Sequence, residues 1–312
     1  MKKPGKFLFA LLFVGSQSSF AVPDVAVTIK PIHSLVSYIM QDVAEPYLVL
    51  DGYVSPHTFQ LRPSQARKLN NADLIFWVGP RVETFFRKIQ SNFSDDKIVT
   101  LDNVTGVRLL AARSGGVWGV HDHDDHDDHD DHSDHDGSRD GYDGHIWLDP
   151  TNAIVMSRAI VEHLGALDQP SLPKYRSRLL ELEILLENLD QNLKHSFSGI
   201  ADKQFVVLHD AYQYFELRYG LEAIGSLNIT AGEMASAKRL DLIQDRIRQT
   251  ATRCLVVEPQ VRSSLAKMFQ SDMRMSLVVL DPIGTMIPAG SNHYSMMMLR
   301  NSQALISCLR EP

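Results

Sequence analysis

Seven short apolar runs, each unbroken rather than alternating with polar residues, limit what this chain can fold into. VAVTI (25–29), YLVLDG (47–52), LIFWVG (74–79) and KIVTL (97–101) lie in the first half. QFVVLHD (204–210), CLVVEP (254–259) and SLVVLDP (276–282) lie in the second. β-Branched runs without alternation suit strands covered on both faces, as in a parallel sheet. The stretches between them, such as Pro63 to Asn70 and Leu240 to Thr250, are amphipathic enough for crossover helices. Strand and helix in alternation, repeated once in each half, predict an α/β fold with parallel sheets.

Between the halves, the stretch from Pro170 to Phe197 carries Tyr175, Leu179, Leu182, Leu186, Leu189 and Leu193, spaced 4, 3, 4, 3 and 4 apart. That spacing draws a single apolar stripe down a long helix. About 25 residues at 1.5 Å each would span roughly 37 Å. Pro170 and Pro173 suit a helix start and make poor interior residues. A helix this long between two α/β halves reads as a stiff strut; an ordinary core helix is the plainer reading. The expected division is a leader at 1–21, an N-terminal lobe over 22–169, a linking helix over 170–197 and a C-terminal lobe over 198–312.

The leader reads MKKPGKFLFALLFVGSQSSFA. Lys2, Lys3 and Lys6 precede a short apolar segment, Phe7 to Val14, and Ser19 and Ala21 supply small residues at the −3 and −1 positions of a cleavage site. The segment is too short to span a bilayer, and no later one approaches about 18 apolar residues. The expectation is an exported chain, not embedded in a membrane, beginning near Val22. Its two cysteines, Cys254 and Cys308, favour a disulfide in an oxidising compartment, two separate thiols being the alternative. The formal net charge of −7 is local: without the nine aspartates of residues 121–136 the rest carries +2. No basic patch points to nucleic acid.

Residues 121–136 read HDHDDHDDHDDHSDHD, with six of the thirteen histidines: His121, His123, His126, His129, His132 and His135. Like charge, flanking glycines and the lack of an apolar stripe predict a disordered loop over about 115–141 when metal-free. Ligands on such a loop must be ordered by each binding event, which implies weak and multiple metal sites. Among the other seven histidines, His57 follows the second run, His209 ends QFVVL, and Asp281 ends SLVVL. In open α/β sheets ligands bind outside the carboxyl ends of strands. His145, in GHIWLDP, stands just before a helix start with Asp149 as N-cap and Pro150 at the first helical position. Three neutral imidazoles with a carboxylate or water make a tetrahedral Zn2+ site, whereas Ca2+ and Mg2+ prefer oxygen shells and Mn2+ more carboxylate.

SPHTFQLRPSQARKLNNADLIFWVGPRVETF (55–85), HIWLDP (145–150), VVLHDAYQYFE (206–216), CLVVEPQ (254–260) and VLDPIGT (279–285) together resemble the zinc-binding proteins of bacterial zinc ABC importers, the ZnuA type, within the metal-binding group of periplasmic solute receptors. The resemblance covers essentially the whole chain after the leader, and it includes a His/Asp-rich insertion before the HIWLDP-like stretch. It implies two similar lobes joined by a rigid long helix, with metal bound in the cleft between them. The family's three histidine ligands fall on His57, His145 and His209. Asp281 matches an aspartate that ligates in manganese-type relatives and lies beside the metal in zinc-type ones, so a fourth ligand or a water partner is expected there. Some zinc-type members have a glutamate before the first histidine; Pro56 stands here instead and cannot ligate through its side chain. Manganese-type members have a carboxylate where this chain has His209, which weighs towards zinc.

The implied function is capture of Zn2+ in the periplasm and delivery to a membrane ABC permease, by a monomer that is not an enzyme. The acidic run would then serve as an auxiliary scavenger or sensor. Manganese or another transition metal as cargo is the runner-up. A zinc hydrolase is the alternative from another class, and no H-E-x-x-H motif supports it. His33, after the first run, is expected near the cleft mouth; His163, His195 and His293 read as structural. Trp147, Tyr212 and Tyr214 flank the expected ligands as candidate walls of the site.

Overall fold

Two four-stranded sheets organise the molecule, and every strand pairing within them is parallel. The computed structural model describes residues 22–118, 141–200, 202–230, 233–234, 236–260 and 264–311. The leader at 1–21 and the His/Asp run at 121–136 lie outside the described residues. The first sheet holds β1 (Val25–Val27), β2 (Tyr47–Leu48), β3 (Leu74–Trp77) and β4 (Ile98–Thr100), in the order β2-β1-β3-β4. Helices α1 (Lys30–Ile39), α2 (Pro63–Asn71) and the short α3 (Thr84–Arg87) connect them. After a long connection come α4 (Pro150–Leu167) and α5 (Leu172–Phe197).

The second sheet holds β5 (Gln204–Val207), β6 (Glu222–Ser226), β9 (Cys254–Val257) and β10 (Ser276–Val279), in the order β10-β9-β5-β6. Helix α6 (Gln213–Tyr219) links β5 to β6. A two-stranded antiparallel pair, β7 (Asn228–Thr230) and β8 (Glu233–Met234), precedes α7 (Ala237–Thr250). Helices α8 (Ser264–Asp272) and α9 (His293–Arg310) complete the lobe. Numbered from one within its own half, each sheet runs 2-1-3-4, so the lobes repeat one topology as expected. All seven apolar runs contain strands. The eighth, β6, reads EAIGS and was not foreseen, because alanine and glycine replace the β-branched residues that mark the others. Gly225 has a local cause: a Cβ there would lie 3.1 Å from the Val117 side chain, where residues 117–118 cross the sheet edge and the Val117 carbonyl accepts from Ser226 N.

Helix α5 buries Tyr175, Leu182, Leu186, Leu189 and Leu193, with Leu179 half-buried, on the stripe read from the sequence. Its buried Asp190 accepts from Arg218 of α6 at 2.7 and 2.6 Å and from Lys194 at 2.8 Å. The stripe joins one apolar core that contains residues of both sheets. A smaller core lies on the other face of the second sheet, around Phe269 and Ile243. The lobes also meet directly. Lys30 Nζ donates to the Thr285 and Ile287 carbonyls at 3.1 and 3.2 Å, and Ser34 Oγ donates to the Ser291 carbonyl at 2.9 Å. Cys254 and Cys308 form a disulfide that ties β9 to α9, as expected for paired cysteines. Among the described residues no helix is long and apolar enough to cross a membrane.

The stripe makes a stability contrast on one helix. Leu186→Ala, at a site with no exposed surface, should cost about 2–5 kcal/mol. Leu180→Ala, at 62% exposure on the same helix, should stay within about 0.5 kcal/mol. Urea unfolding of the two variants checks the contrast.

Candidate metal centre

Three histidines from three separate segments converge between the lobes. His57 sits in the loop after β2, His145 before α4, and His209 two residues past β5. Their ring centroids lie 5.1–5.4 Å apart. One ring nitrogen from each falls within 4.8 Å of the others, the single such group of histidine, cysteine or carboxylate atoms among the described residues. His57 Nε2 and His145 Nε2 are 3.3 Å apart. A tetrahedral Zn2+ ion with Zn–N bonds of about 2.0–2.1 Å spaces its ligand nitrogens about 3.3 Å apart. That pair has the spacing such an ion needs, and the His209 nitrogen lies within 4.8 Å of both.

Each ring is held by its own segment. Thr84 Oγ1, at the start of α3, donates to the His57 carbonyl at 2.9 Å, and His57 N donates to Ser55 Oγ at 3.3 Å. The α3 turn is itself anchored by buried Glu83, whose Oε2 accepts from Val78 N and Gly79 N at 2.9 Å. Gly144 lets the strand of chain carrying His145 press against Arg81 and Val82; a Cβ there would come within 2.7 Å of Val82. Asp149 caps α4 through Thr151 N at 2.9 Å with Pro150 next to it, as the sequence predicts.

Two carboxylates choose which ring nitrogen faces the cleft. His145 Nδ1–H donates to Asp143 Oδ1 at 2.7 Å, and His209 Nδ1–H donates to Glu258 Oε1 at 3.0 Å. With Nδ1 protonated, the neutral ring presents an unprotonated Nε2, the form that ligates a metal. Burial disfavours the His209 imidazolium, but the Glu258 charge and hydrogen bond, with Asp210 and Asp143 behind, outweigh it and raise the pKa. Burial works against the Asp143 anion too, yet the His145 charge and hydrogen bonds hold its carboxyl below the usual range.

Asp281 stands outside the cluster. Its Oδ1 accepts from Gln260 Nε2 at 2.9 Å and Ile283 N at 3.2 Å; its Oδ2 accepts from Thr285 N and Oγ1, both at 2.5 Å. Four donors use the lone-pair sites of a carboxylate, and they shape the 281–285 turn. Next to it the Pro282 carbonyl accepts from Trp147 Nε1 at 2.7 Å, a bond between lobes two residues from His145. Trp147, Pro56, Glu258 and Ile283 line a cavity of about 10 Å3 on one side of the rings, the room of a single water. A chamber of about 220 Å3 adjoins the other side, lined by Arg81, Arg113, Asp143 and Asp210 among others. Tyr214 is buried with its hydroxyl donating to the Asp143 carbonyl at 2.7 Å, a structural role. His33 lies apart, bonded to the Pro46 carbonyl at 3.0 Å, and His293 to the Pro288 and Ile283 carbonyls at 3.1 and 3.0 Å.

Sequence reading missed Asp143 and Glu258. The first stands two residues before a ligand, a spacing that suits a side chain turned back on its neighbour. The second directly follows β9, which lies between β5 and β10 in the sheet, so its place beside His209 follows once the strand order is known.

Two α/β lobes on a long helix, with three convergent imidazoles between them, are the plan of a metal-binding solute receptor of the ABC transporter type. The chain belongs to the family described as ZnuA, zinc-uptake complex component A, periplasmic, whose model matches residues 25–308. The high-affinity zinc uptake system protein ZnuA of Brucella abortus (strain 2308) is 35% identical over 316 residues, with 95% of each chain covered. Among solved structures, the periplasmic zinc-binding protein TroA of Treponema pallidum is 20% identical with a TM-score of 0.76, covering 93% of this chain and 100% of that one. The solute-binding protein FpvC of Pseudomonas aeruginosa, in complex with Mn2+, is 20% identical with a TM-score of 0.75 and covers 93% of this chain and 99% of that one. At these identities the two structures establish the fold.

A raised His209 pKa means that a proton competes with the metal at higher pH than an ordinary imidazole near 6.5 allows. Zinc affinity should therefore start to fall, on acidification, above about pH 6.5. Glu258→Gln keeps an acceptor for Nδ1–H and removes the charge. It should weaken zinc binding at neutral pH by about 10–100-fold and move the acid limit of binding to lower pH. Competition titrations from about pH 5 to about pH 8 read both effects.

Proposed function

We propose that this chain captures Zn2+ in the periplasm through His57, His145 and His209 and delivers it to a membrane ABC permease. The observation that carries the reading is the convergence of three imidazoles, two of them fixed by carboxylates in the metal-ligating tautomer. An all-nitrogen donor set suits Zn2+ better than Mn2+, which favours oxygen. Membership of a zinc-uptake family supports the same cargo. A hydrolase would need a general base at the open coordination position. Glu258 is engaged by His209 and Glu216 by Arg113, which favours binding over catalysis. Asp281 serves on this reading as a support for the cleft wall; a direct role as fourth ligand would require it to give up bonds to Gln260 or Thr285.

On this reading the histidines of the 121–136 run serve as an auxiliary zinc scavenger or sensor, since they alternate with aspartates along the sequence. Zinc titration against a strong chelator separates the parts. The intact chain should hold one tight equivalent, retained when residues 121–136 are deleted and lost in His57→Ala/His209→Ala. Loss of the tight equivalent on deletion of the run would instead make the chain a buffer. Zinc-limited growth of cells carrying the permease but only the double variant should fail, and normal growth would remove the delivery role.

A further inference from the structure

The large chamber beside the three rings contains a carboxylate that does not reach them. Asp210 follows His209 directly, lines the chamber with all three histidines, and contributes to the field at His209. Both of its oxygens are taken by one guanidinium: Arg113 Nε donates to Oδ2 at 3.0 Å and Arg113 Nη2 donates to Oδ1. The same guanidinium donates from Nη1 and Nη2 to the two oxygens of Glu216, each at 2.8 Å. It stacks on Trp118 with 3.8 Å between the guanidinium carbon and the ring centre. The three side chains are 18%, 9% and 6% exposed, so this is a buried and fixed arrangement. A planar fork bonded to two carboxylates and resting on an aromatic face has little freedom to turn away.

We propose that Arg113 sets the metal selectivity of the site by withholding the Asp210 carboxylate from the ion. With Asp210 held by Arg113, the chamber presents the three imidazoles to an ion without that carboxylate. Released, Asp210 would stand beside His209 as a hard oxygen donor of the kind Mn2+ favours. The inference rests on the zinc-receptor reading and adds a selectivity residue to it. Arg113 is a positioning residue: it acts on the metal through Asp210.

Removing Arg113 alone leaves Glu216 buried and uncompensated, which endangers folding. The test therefore uses Arg113→Met/Glu216→Gln, which frees Asp210 while removing the second buried charge. Its partner is the triple variant that adds Asp210→Asn. Zn2+ and Mn2+ dissociation constants are measured by chelator competition on the full mature chain, with thermal unfolding as a check on folding. The double variant should shift the Mn2+/Zn2+ affinity ratio towards Mn2+ by about tenfold, and the triple variant should cancel the shift. Visible absorption of bound Co2+ should weaken in the double variant, as an oxygen donor raises the coordination number above four, and recover in the triple. An equal ratio in double and triple variants overturns the proposal, because a merely structural role would affect both alike. If the double variant does not fold, Arg113→Lys takes its place. A point charge cannot fork both carboxylates, so a smaller shift in the same direction supports the proposal and an unchanged ratio overturns it. Failure of the wild type to bind zinc through His57 would defeat the receptor reading itself, a result distinct from an unmoved ratio.

Discussion

An imidazole has two nitrogens, and this site works only if the right one of each pair faces the cleft. For two of the three rings the decision is made by a buried carboxylate: Asp143 for His145 and Glu258 for His209. A buried carboxylate without a partner is strongly disfavoured, so ring and anion fix each other before any metal arrives. The two pairs come from different lobes, since Asp143 precedes α4 and Glu258 follows β9 directly. Their Nε2 atoms converge only if the lobes hold a defined separation. Much of the remaining architecture serves that requirement.

The lobes are bound to each other by more than the long helix. Lys30, Ser34 and Trp147 each donate across the boundary to carbonyls between Pro282 and Ser291. Tyr294 returns a bond from its hydroxyl to the Trp147 carbonyl at 2.7 Å. On the opposite side of the rings, Arg113 reaches Asp210 and Glu216, and Tyr214 reaches both Leu110 N and the Asp143 carbonyl. The apolar core runs through both lobes and through α5 without a break. The helix read as a strut is thus also part of a shared core, and wide opening of the cleft would break bonds on both flanks of the site.

The sequence made the repeated α/β plan legible because a parallel sheet buries both faces and leaves β-branched runs in plain view. It also showed α5, whose stripe of Tyr175, Leu182, Leu186, Leu189 and Leu193 is a local periodicity. The strand β6 was invisible, since Gly225 there answers to a chain crossing from more than a hundred positions earlier. His57, His145 and His209 were legible through motifs that resemble a family. Asp281 was read as a candidate ligand from its position past a strand end. Its four hydrogen bonds depend on how the 281–285 turn closes, which no spacing discloses. Asp143, Glu258 and Arg113 escaped notice for the same reason: a side chain that acts on another side chain leaves its trace in three dimensions.

The placement of charge bears on how such a site exchanges its cargo. Three neutral imidazoles leave a divalent ion with its full charge, and the two nearest counter-charges, Asp143 and Glu258, sit one hydrogen bond behind the rings. From there Glu258 attracts a proton onto His209, which is the sense of its raised pKa. Carboxylates placed directly on the ion would bind it more strongly and would also favour harder ions. Carboxylates set back one layer leave imidazole nitrogens as the donors facing the cleft, a set that suits a nitrogen-loving ion. That placement also couples metal binding to proton release wherever a ring is protonated, because an imidazolium must lose its Nε2 proton before it can ligate. Acidification and loss of one ring, with His57 the least buried of the three, then act in the same direction.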